Sequence, residues 1–586
     1  MSRLLFGLLA LLALIQRAGA TTAGRGAMLP WITYEAEQAK TTGSILGPDY
    51  IGHTPAREAS SRRCVSLAAT GQFLEFTASA DANGMVVRYC IPDSPDGRGA
   101  DATLSLSING KPSGKLAMTS RYSYLYGEYP FSNDPSAGTP RHFWDELRLM
   151  PSTIHATIHA GDVIRLQKNA DDIATQYLID FVDLEAVPAP LEKPADALSI
   201  TDFGATPNNQ SDARPAFVAA IAAAKSQHKT VWIPAGQFMV KGPLEVSDVA
   251  IRGAGMWYST LVGADNYSPE NRVAINGNGS NIILSDFAII GKLNYRNDSE
   301  ANDGLGGSFG AGSSIRNIWV EHTKTGAWLV NSDGLLVEGC RFRDTIADGI
   351  NLCVGMHNTT VRNCTVRGGG DDCFAMWPAT YAKSLYHAGS NRFINCTAQF
   401  PSLAQGFSIY GGEGNSVENC TAIDIPYGAG LLASTMFPTE FGFGGITTYR
   451  HIDITRAGDS DGAIAVMTNL ADLAGLRFDD IEVIDSPRDG IKFNSIKDRI
   501  LGDTAFDQIH IVNAGLAGSG SGIVEAKSAV GSATISNVSV INPKTVGWQN
   551  NDSAFNLIRG AGNSGVDDKD QSSADLAAAR RASVVP

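Results

Sequence analysis

The sequence predicts an all-β protein, a right-handed parallel β-helix preceded by an antiparallel β-sandwich. Three observations carry this reading. Short alternating apolar runs separated by turn residues fill the first third of the chain. A six-residue pattern of apolar residues around Asn or Asp then recurs every 22 to 32 residues, as from Ile318 to Cys340 and from Cys364 to Cys396. Between recurrences lie strand-like segments and no helical pattern, which is the mark of a solenoid.

At 586 residues the chain exceeds one ordinary core, and 62 glycines with 43% hydrophobic and 18% charged residues fit a turn-rich β protein. A formal charge of -14 argues against nucleic acid and anionic membrane as partners and disfavours a polyanionic substrate. Arg3, the apolar run from Leu4 to Ile15 and the small residues Ala18-Gly19-Ala20 read as a signal peptide over 1–20. The run is too short for a membrane anchor. The expected location is secreted or periplasmic, and the expected state is a monomer.

Residues 31–187 hold the sandwich, with alternating runs such as Phe73-Leu74-Glu75-Phe76 and Ala102-Thr103-Leu104-Ser105-Leu106. Its ends, at Tyr34-Glu35-Ala36-Glu37 and Tyr177 to Leu184, resemble carbohydrate-binding sandwich modules. A proline-rich linker covers 188–197. Ser211 is the expected cap of an alanine-rich helix with Pro215 in its first turn. This opening resembles pectate-lyase-like β-helices, in which a helix seals the stack. The β-helix is expected over 198–546 and a disordered tail over 560–586.

The repeat register interprets the cysteines. Cys340, Cys364, Cys396 and Cys420 fill the slot taken elsewhere by Phe287, Ile318, Ile452, Ile481, Ile509 and Val538, so they read as core residues. Asn363, Asn395 and Asn419 before them read as a turn ladder. Cys64 with Cys90, and Cys353 with Cys373, are candidates for disulfides in an exported chain.

Each rung has a second strand, opened by a residue that precedes glycine or cysteine. Alignment on that signature stacks Thr325, Asp348, Asp372, Gln405 and Ala429 in one column, with Asp371 beside Asp372. A lone Asp-Gly is a turn pair, and Asp461 and Asp489 are read so. Three carboxylates on adjacent rungs repel one another and raise each other's proton affinity, which points to catalysis. Two carboxylates with room for water, roughly 6.5–9.5 Å apart, suit inverting glycoside hydrolysis. Asp348 and Asp372 would hold the water, and Asp371 would be the general acid, with the reverse assignment of Asp371 and Asp372 open. Trp377 and Tyr410 are candidate sugar-stacking residues, Gln405 a candidate hydrogen-bond partner, and Phe309 a lining residue. No metal-ligand spacing and no cofactor are read, apart from a structural Ca²⁺ that the acidic column could attract.

Ala347 to Asn351 and Gly370 to Trp377, with Asp303 to Gly310 upstream, resemble glycoside hydrolase family 87, which contains α-1,3-glucanases (mutanases) and mycodextranases. The resemblance spans roughly 34–546. It implies a secreted inverting endo-hydrolase of α-1,3-glucan, with Asp348, Asp371 and Asp372 catalytic, or a mycodextranase acting on nigeran. Cys373 departs from the glycine more usual there. A polygalacturonase-like pectin hydrolase is the alternative enzyme, but Gln405 stands where that family has histidine, and its Arg-Ile-Lys segment is reduced to Ile491-Lys492. A glycan-binding adhesin is the non-enzymatic alternative.

Overall fold

The computed structural model describes residues 25–566 except 130, 150–156, 266, 267, 269, 270 and 552. The signal-peptide reading of 1–20 and the tail from 567 onward lie outside the described residues. Among the described residues, no helix is long and apolar enough to cross a membrane.

The first part is a sandwich of two antiparallel sheets. One contains Trp31–Glu35, Ser44–Leu46, Cys64–Leu67, Gly84–Cys90, Asp145–Leu149 and Tyr177–Glu185. The other contains Lys40–Thr41, Phe73–Thr77, Asp101–Ile108, Lys111–Thr119 and Val163–Gln167. Asp101–Ile108 alternates buried and open residues because one face packs inward and the other meets solvent. Tyr177–Glu185 is buried throughout. Tyr177, Ile179, Val182 and Leu184 enter the sandwich core, while Asp183 and Glu185 bond to solenoid residues.

That second contact is ionic and buried. Arg341 makes two hydrogen bonds to Glu185, at 2.7 and 2.8 Å. Arg367 bonds both Glu146 oxygens, at 2.5 and 2.7 Å, and Asp183 at 2.8 Å. Arg367 stands directly over Arg343 of the preceding rung, and Arg341 lies two residues before Arg343 on the same face of that strand. His322 Nε2 lies 2.8 Å from Asp145 Oδ1 at the same interface.

The solenoid consists of parallel strand pairs in two long sheets, one of twenty-one strands and one of twelve. Its interior is apolar ladders: Phe287 pairs with Ile318, and Ile452 with Ile481 and then Ile509. Tyr449, Phe478 and Phe506 stack at 4.6 and 4.4 Å. The four ladder cysteines lie in this core, where the Cys340 amide meets Cys364 Sγ and the Cys396 amide meets Cys420 Sγ, each at 3.4 Å. Asn317, Asn363, Asn395, Asn419 and Asn537 share φ of 51–52° at the turn, a left-handed conformation that asparagine tolerates well.

Helix Arg214–Gln227 covers the first rungs with Phe217, Ala220 and Ala224. Its N-cap is Ala213 rather than Ser211, and Asp212 Oδ1 accepts from the Arg214 amide instead. The solenoid also runs past 546. Ala554–Arg559 pairs with Val530–Ser536, and the Ala561 and Ser564 carbonyls accept from Asn537 and Val540. Residues 560–566 therefore continue the last rung, where a disordered tail was expected.

The proposed disulfides are absent: all eight cysteines are free and buried. Cys64 and Cys90 pack with Ala59, Phe143 and Trp144, while Cys373 joins the solenoid core and Cys353 packs against Val354 and Ala379. Each behaves as a small apolar residue.

Candidate active site

Ile350–Leu352, Phe374–Met376 and Phe407–Ile409 are consecutive strands of the twelve-stranded sheet, with Ile350 on Phe374 and Phe374 on Phe407. Asp348, Asp372 and Gln405 each stand two residues before a paired position and so form one column. The Gly349 amide donates to the Asp372 carbonyl at 2.9 Å, which fixes the stagger.

Asp371 owes its place to the preceding glycines. Gly368 has φ of +73°. Gly370 lies so close to the rung below that a Cβ would sit 1.9 Å from the Ile346 carbonyl oxygen, and its amide donates to the Thr345 and Ala347 carbonyls. The turn therefore presses backbone on backbone, and Asp371 emerges beside Asp372. One carboxylate oxygen from each of Asp348, Asp371 and Asp372 lies within 4.8 Å of the others.

The three carboxyls have different surroundings. Asp348 is buried, with Oδ2 accepting from Asn351 Nδ2 at 2.7 Å. Burial first, then the charges of Asp371 and Asp372, push its carboxyl well above the usual carboxylate range. Asp372 is also buried and accepts from the Gln405 amide at 3.0 Å, Ser408 Oγ at 2.6 Å and Tyr410 Oη at 2.7 Å. Despite those donors, burial and then Asp371 push it up to about 7. Asp371 is the open member, 30% exposed in its side chain, and it accepts from Arg296 Nη2 at 2.6 Å. Such a site holds at least one proton near neutrality and keeps a second carboxyl available as acceptor.

The expected binding residues divide. Trp377 is half-buried, with Nε1 donating to the Pro438 carbonyl at 3.0 Å. Its ring meets Trp328 at 6.2 Å, Tyr381 at 6.4 Å and Phe437 at 5.6 Å. Tyr410 is only 5% exposed, so its ring offers no stacking face, and its hydroxyl serves Asp372. Gln405 is buried, and its side-chain carbonyl accepts from the Ala429 amide. Phe309 is fully buried in the solenoid core and lines no approach, because the Gly306-Gly307-Ser308 stretch hides the strand alternation that directs it inward.

Four polar residues at the site were given no role from the sequence: Asn351 and Asp303, which stand in the quoted motifs, and Ser408 and Arg296. Asp303 was within reach, because Asp303-Gly304 carries the same signature as Asp348-Gly349. Leu305 pairs with Ala327, placing Asp303 below Thr325, whose hydroxyl it accepts at 2.8 Å. Arg296 lies in the 291–304 connection, which has no repeat register to betray it.

Among the described residues, two groups of three side chains are close enough to share an ion: this trio, and Asp145, His322 and Asp344. In the second, burial opposes protonation of His322, but the Asp145 charge outweighs it and lifts the imidazole to about 9. His322 Nε2 meets Asp145 Oδ1 at 2.8 Å. In the trio, Arg296 already meets part of the charge.

Comparison with known proteins gives a consistent set of likenesses. Residues 28–187 match the model described as α-1,3-glucanase catalytic domain D1, and 216–559 match α-1,3-glucanase catalytic domain D2. No curated protein matches the sequence. The crystal structure of the Agl-KA catalytic domain is 27% identical with a TM-score of 0.85, over 92% of this chain and 99% of that one. The catalytic unit of a thermostable GH87 α-1,3-glucanase from Streptomyces thermodiastaticus strain HF3-3 is 33% identical with a TM-score of 0.81, over 92% and 98%. A GH87 α-1,3-glucanase catalytic domain in complex with nigerose is 26% identical with a TM-score of 0.81, over 92% and 100%. Aspartate-to-alanine variants with the same description are seen with tetrasaccharides or nigerose.

Proposed function

The chain belongs to glycoside hydrolase family 87, and from that premise we propose that it cleaves internal α-1,3-glucosidic bonds of an α-glucan with inversion, using Asp348, Asp371 and Asp372. The observation that carries the reading is the trio itself, two buried carboxyls beneath one open carboxyl, with all three within 4.8 Å. The three aspartate-to-alanine variants of the GH87 relatives fall at positions with the same relative spacing as Asp348, Asp371 and Asp372.

Asp371 is the general acid. It is the member open to the cleft, so it meets the glycosidic oxygen first and gives it a proton as the bond to C1 breaks. Asp348 and Asp372 lie deeper and act on the water. The water oxygen bonds to C1 from the opposite face, and its proton passes to the buried pair. The closest oxygens lie nearer than the roughly 6.5–9.5 Å usual between the carboxyl groups of inverting enzymes. Inversion is therefore proposed from the division of the trio into open and buried members, not from its separation. Trp328, Trp377, Tyr381 and Phe437 form an aromatic wall on one side, with Tyr381 60% and Phe437 42% exposed, and they suit stacking on sugar rings. The charge of -14 supports a neutral glucan over a polyuronate. The first twenty residues support export of the enzyme.

The test incubates purified protein with α-1,3-glucan, nigeran, dextran and polygalacturonate, measures new reducing ends, and follows the newborn anomer by NMR. The expected result is product from α-1,3-glucan with the β-anomer appearing first. Product from polygalacturonate alone overturns the substrate, and an initial α-anomer overturns inversion.

A further inference from the structure

The loop 291–304 connects Ile282–Ile290 to Leu305–Phe309 and carries one cation to the trio. Arg296 is almost enclosed, with its side chain 11% exposed. Its Nε donates to Asp298 Oδ1 at 2.9 Å, and Nη2 donates to Asp298 Oδ2 at 3.3 Å and to Asp371 Oδ2 at 2.6 Å. Asp298 thus fixes the guanidinium plane, and a charge-assisted bond points from it at the open carboxyl.

The loop is braced from both sides. Glu300 accepts from Tyr295 Oη at 2.9 Å, Asn297 Nδ2 at 3.0 Å and Asn302 Nδ2 at 3.1 Å, and it pairs with Arg272 at 2.5 Å. Lys324 Nζ holds the Glu300 carbonyl at 2.5 Å. From the sandwich, Leu125 and Phe131 pack on Leu293, Tyr295 and Ile346. A braced cation keeps its place while charge changes beside it, which is the condition for electrostatic preorganisation.

We infer that Arg296 is a positioning residue for proton donation: it aims Asp371 into the cleft and stabilises the negative charge that grows there as the proton leaves. This rests on the reading of Asp371 as the general acid. When the O–H bond of Asp371 breaks toward the glycosidic oxygen, a carboxylate forms 2.6 Å from a fixed guanidinium. While the proton is still on the acid, the attraction is weaker. The interaction is therefore stronger in the transition state than in the ground state, so its loss appears in kcat rather than in KM. The neighbouring carboxyls of Asp348 and Asp372 oppose the new charge.

The test compares two substrates of the same sugar: an α-1,3-linked oligosaccharide, whose departing oxygen needs a proton, and nigerosyl α-fluoride, whose fluoride leaves without one. Arg296→Gln is expected to lower kcat on the oligosaccharide by about tenfold or more, with KM changed less than about threefold. On the fluoride the loss is expected to stay under about threefold. Arg296→Lys, which keeps the charge but not the double attachment to Asp298, is expected to restore part of the rate. Equal losses on both substrates, or a loss confined to KM, overturn the inference. If the glutamine variant does not fold, the lysine variant carries the same comparison. Asp371→Asn separates the two readings, because it must lose the oligosaccharide and keep the fluoride. If it loses both, the assignment of the acid fails, whatever Arg296 does.

Discussion

Tyr410 Oη donates to Asp372 Oδ2 at 2.7 Å, and the same carboxylate oxygen accepts Ser408 Oγ at 2.6 Å. The two donors come from alternate residues of the next rung, so the strand pleat aims both at one carboxyl. They favour the carboxylate form of Asp372, against burial and against Asp371.

Tyr410→Phe removes one donor and little volume. With the carboxylate less stabilised, Asp372 takes its proton at higher pH, so the acidic limb of kcat/KM moves upward. At neutral pH the rate is expected to fall on the order of tenfold. A pH–rate profile of parent and variant checks this, and an unmoved limb refutes it.

Gly370→Ala places a methyl where the Ile346 carbonyl oxygen is 1.9 Å away. Backbone on both sides leaves only a shift of the turn, which carries Asp371 and Asp372 with it. Misplacement by about 1 Å costs roughly 10²-fold in rate. Activity should therefore collapse far more than the circular-dichroism spectrum changes, and kcat for α-1,3-glucan is the measurement.

His322 gives stability a pH dependence. Its folded value of about 9 stands above the usual 6.5 because Asp145 outweighs burial. The stabilisation is fully present below the unfolded value and is lost as pH rises through the folded one, a window of about 6.5 to 9. The loss amounts to up to roughly 3 kcal/mol. Thermal midpoints should fall across that window in the parent, and His322→Gln should flatten the curve from a lower starting point.

Arg367→Ala takes the closest cation from buried Glu146 and Asp183, leaving Arg343 at 3.6 Å from Glu146 and the Thr33 hydroxyl on Asp183. Breaking one side of a buried ionic contact costs about 3–5 kcal/mol. Denaturant unfolding should show that loss, together with lower activity if the sandwich brace on the 291–304 loop slackens.

Much of this was legible before the structure because a solenoid writes its packing into sequence spacing. The slot shared by Cys340, Cys364, Cys396 and Cys420 with Ile and Val was readable as core, and the stacking of Asp348 over Asp372 followed from the same register. What the repeat does not govern stayed hidden. Arg296 reaches Asp371 from a connection of no fixed length, and Leu125 and Phe131 reach that connection from another sheet system. Tyr410 was located but given the wrong task, because periodicity tells which residues share a face and not which is covered by a neighbour such as Phe437. The disulfides expected from export gave way to burial, a property of the packing around each thiol.

The spacing of the two stacked aspartates belongs to the scaffold, because each hangs from a strand hydrogen-bonded directly to the other's. The rung is thus a ruler, and loops on either side can lengthen, shorten or exchange without altering it. Divergence within such a lineage is free to remodel the rim and choose new glucans. Gaining or losing a rung between positions 348 and 372 is the one rearrangement it cannot survive as a catalyst.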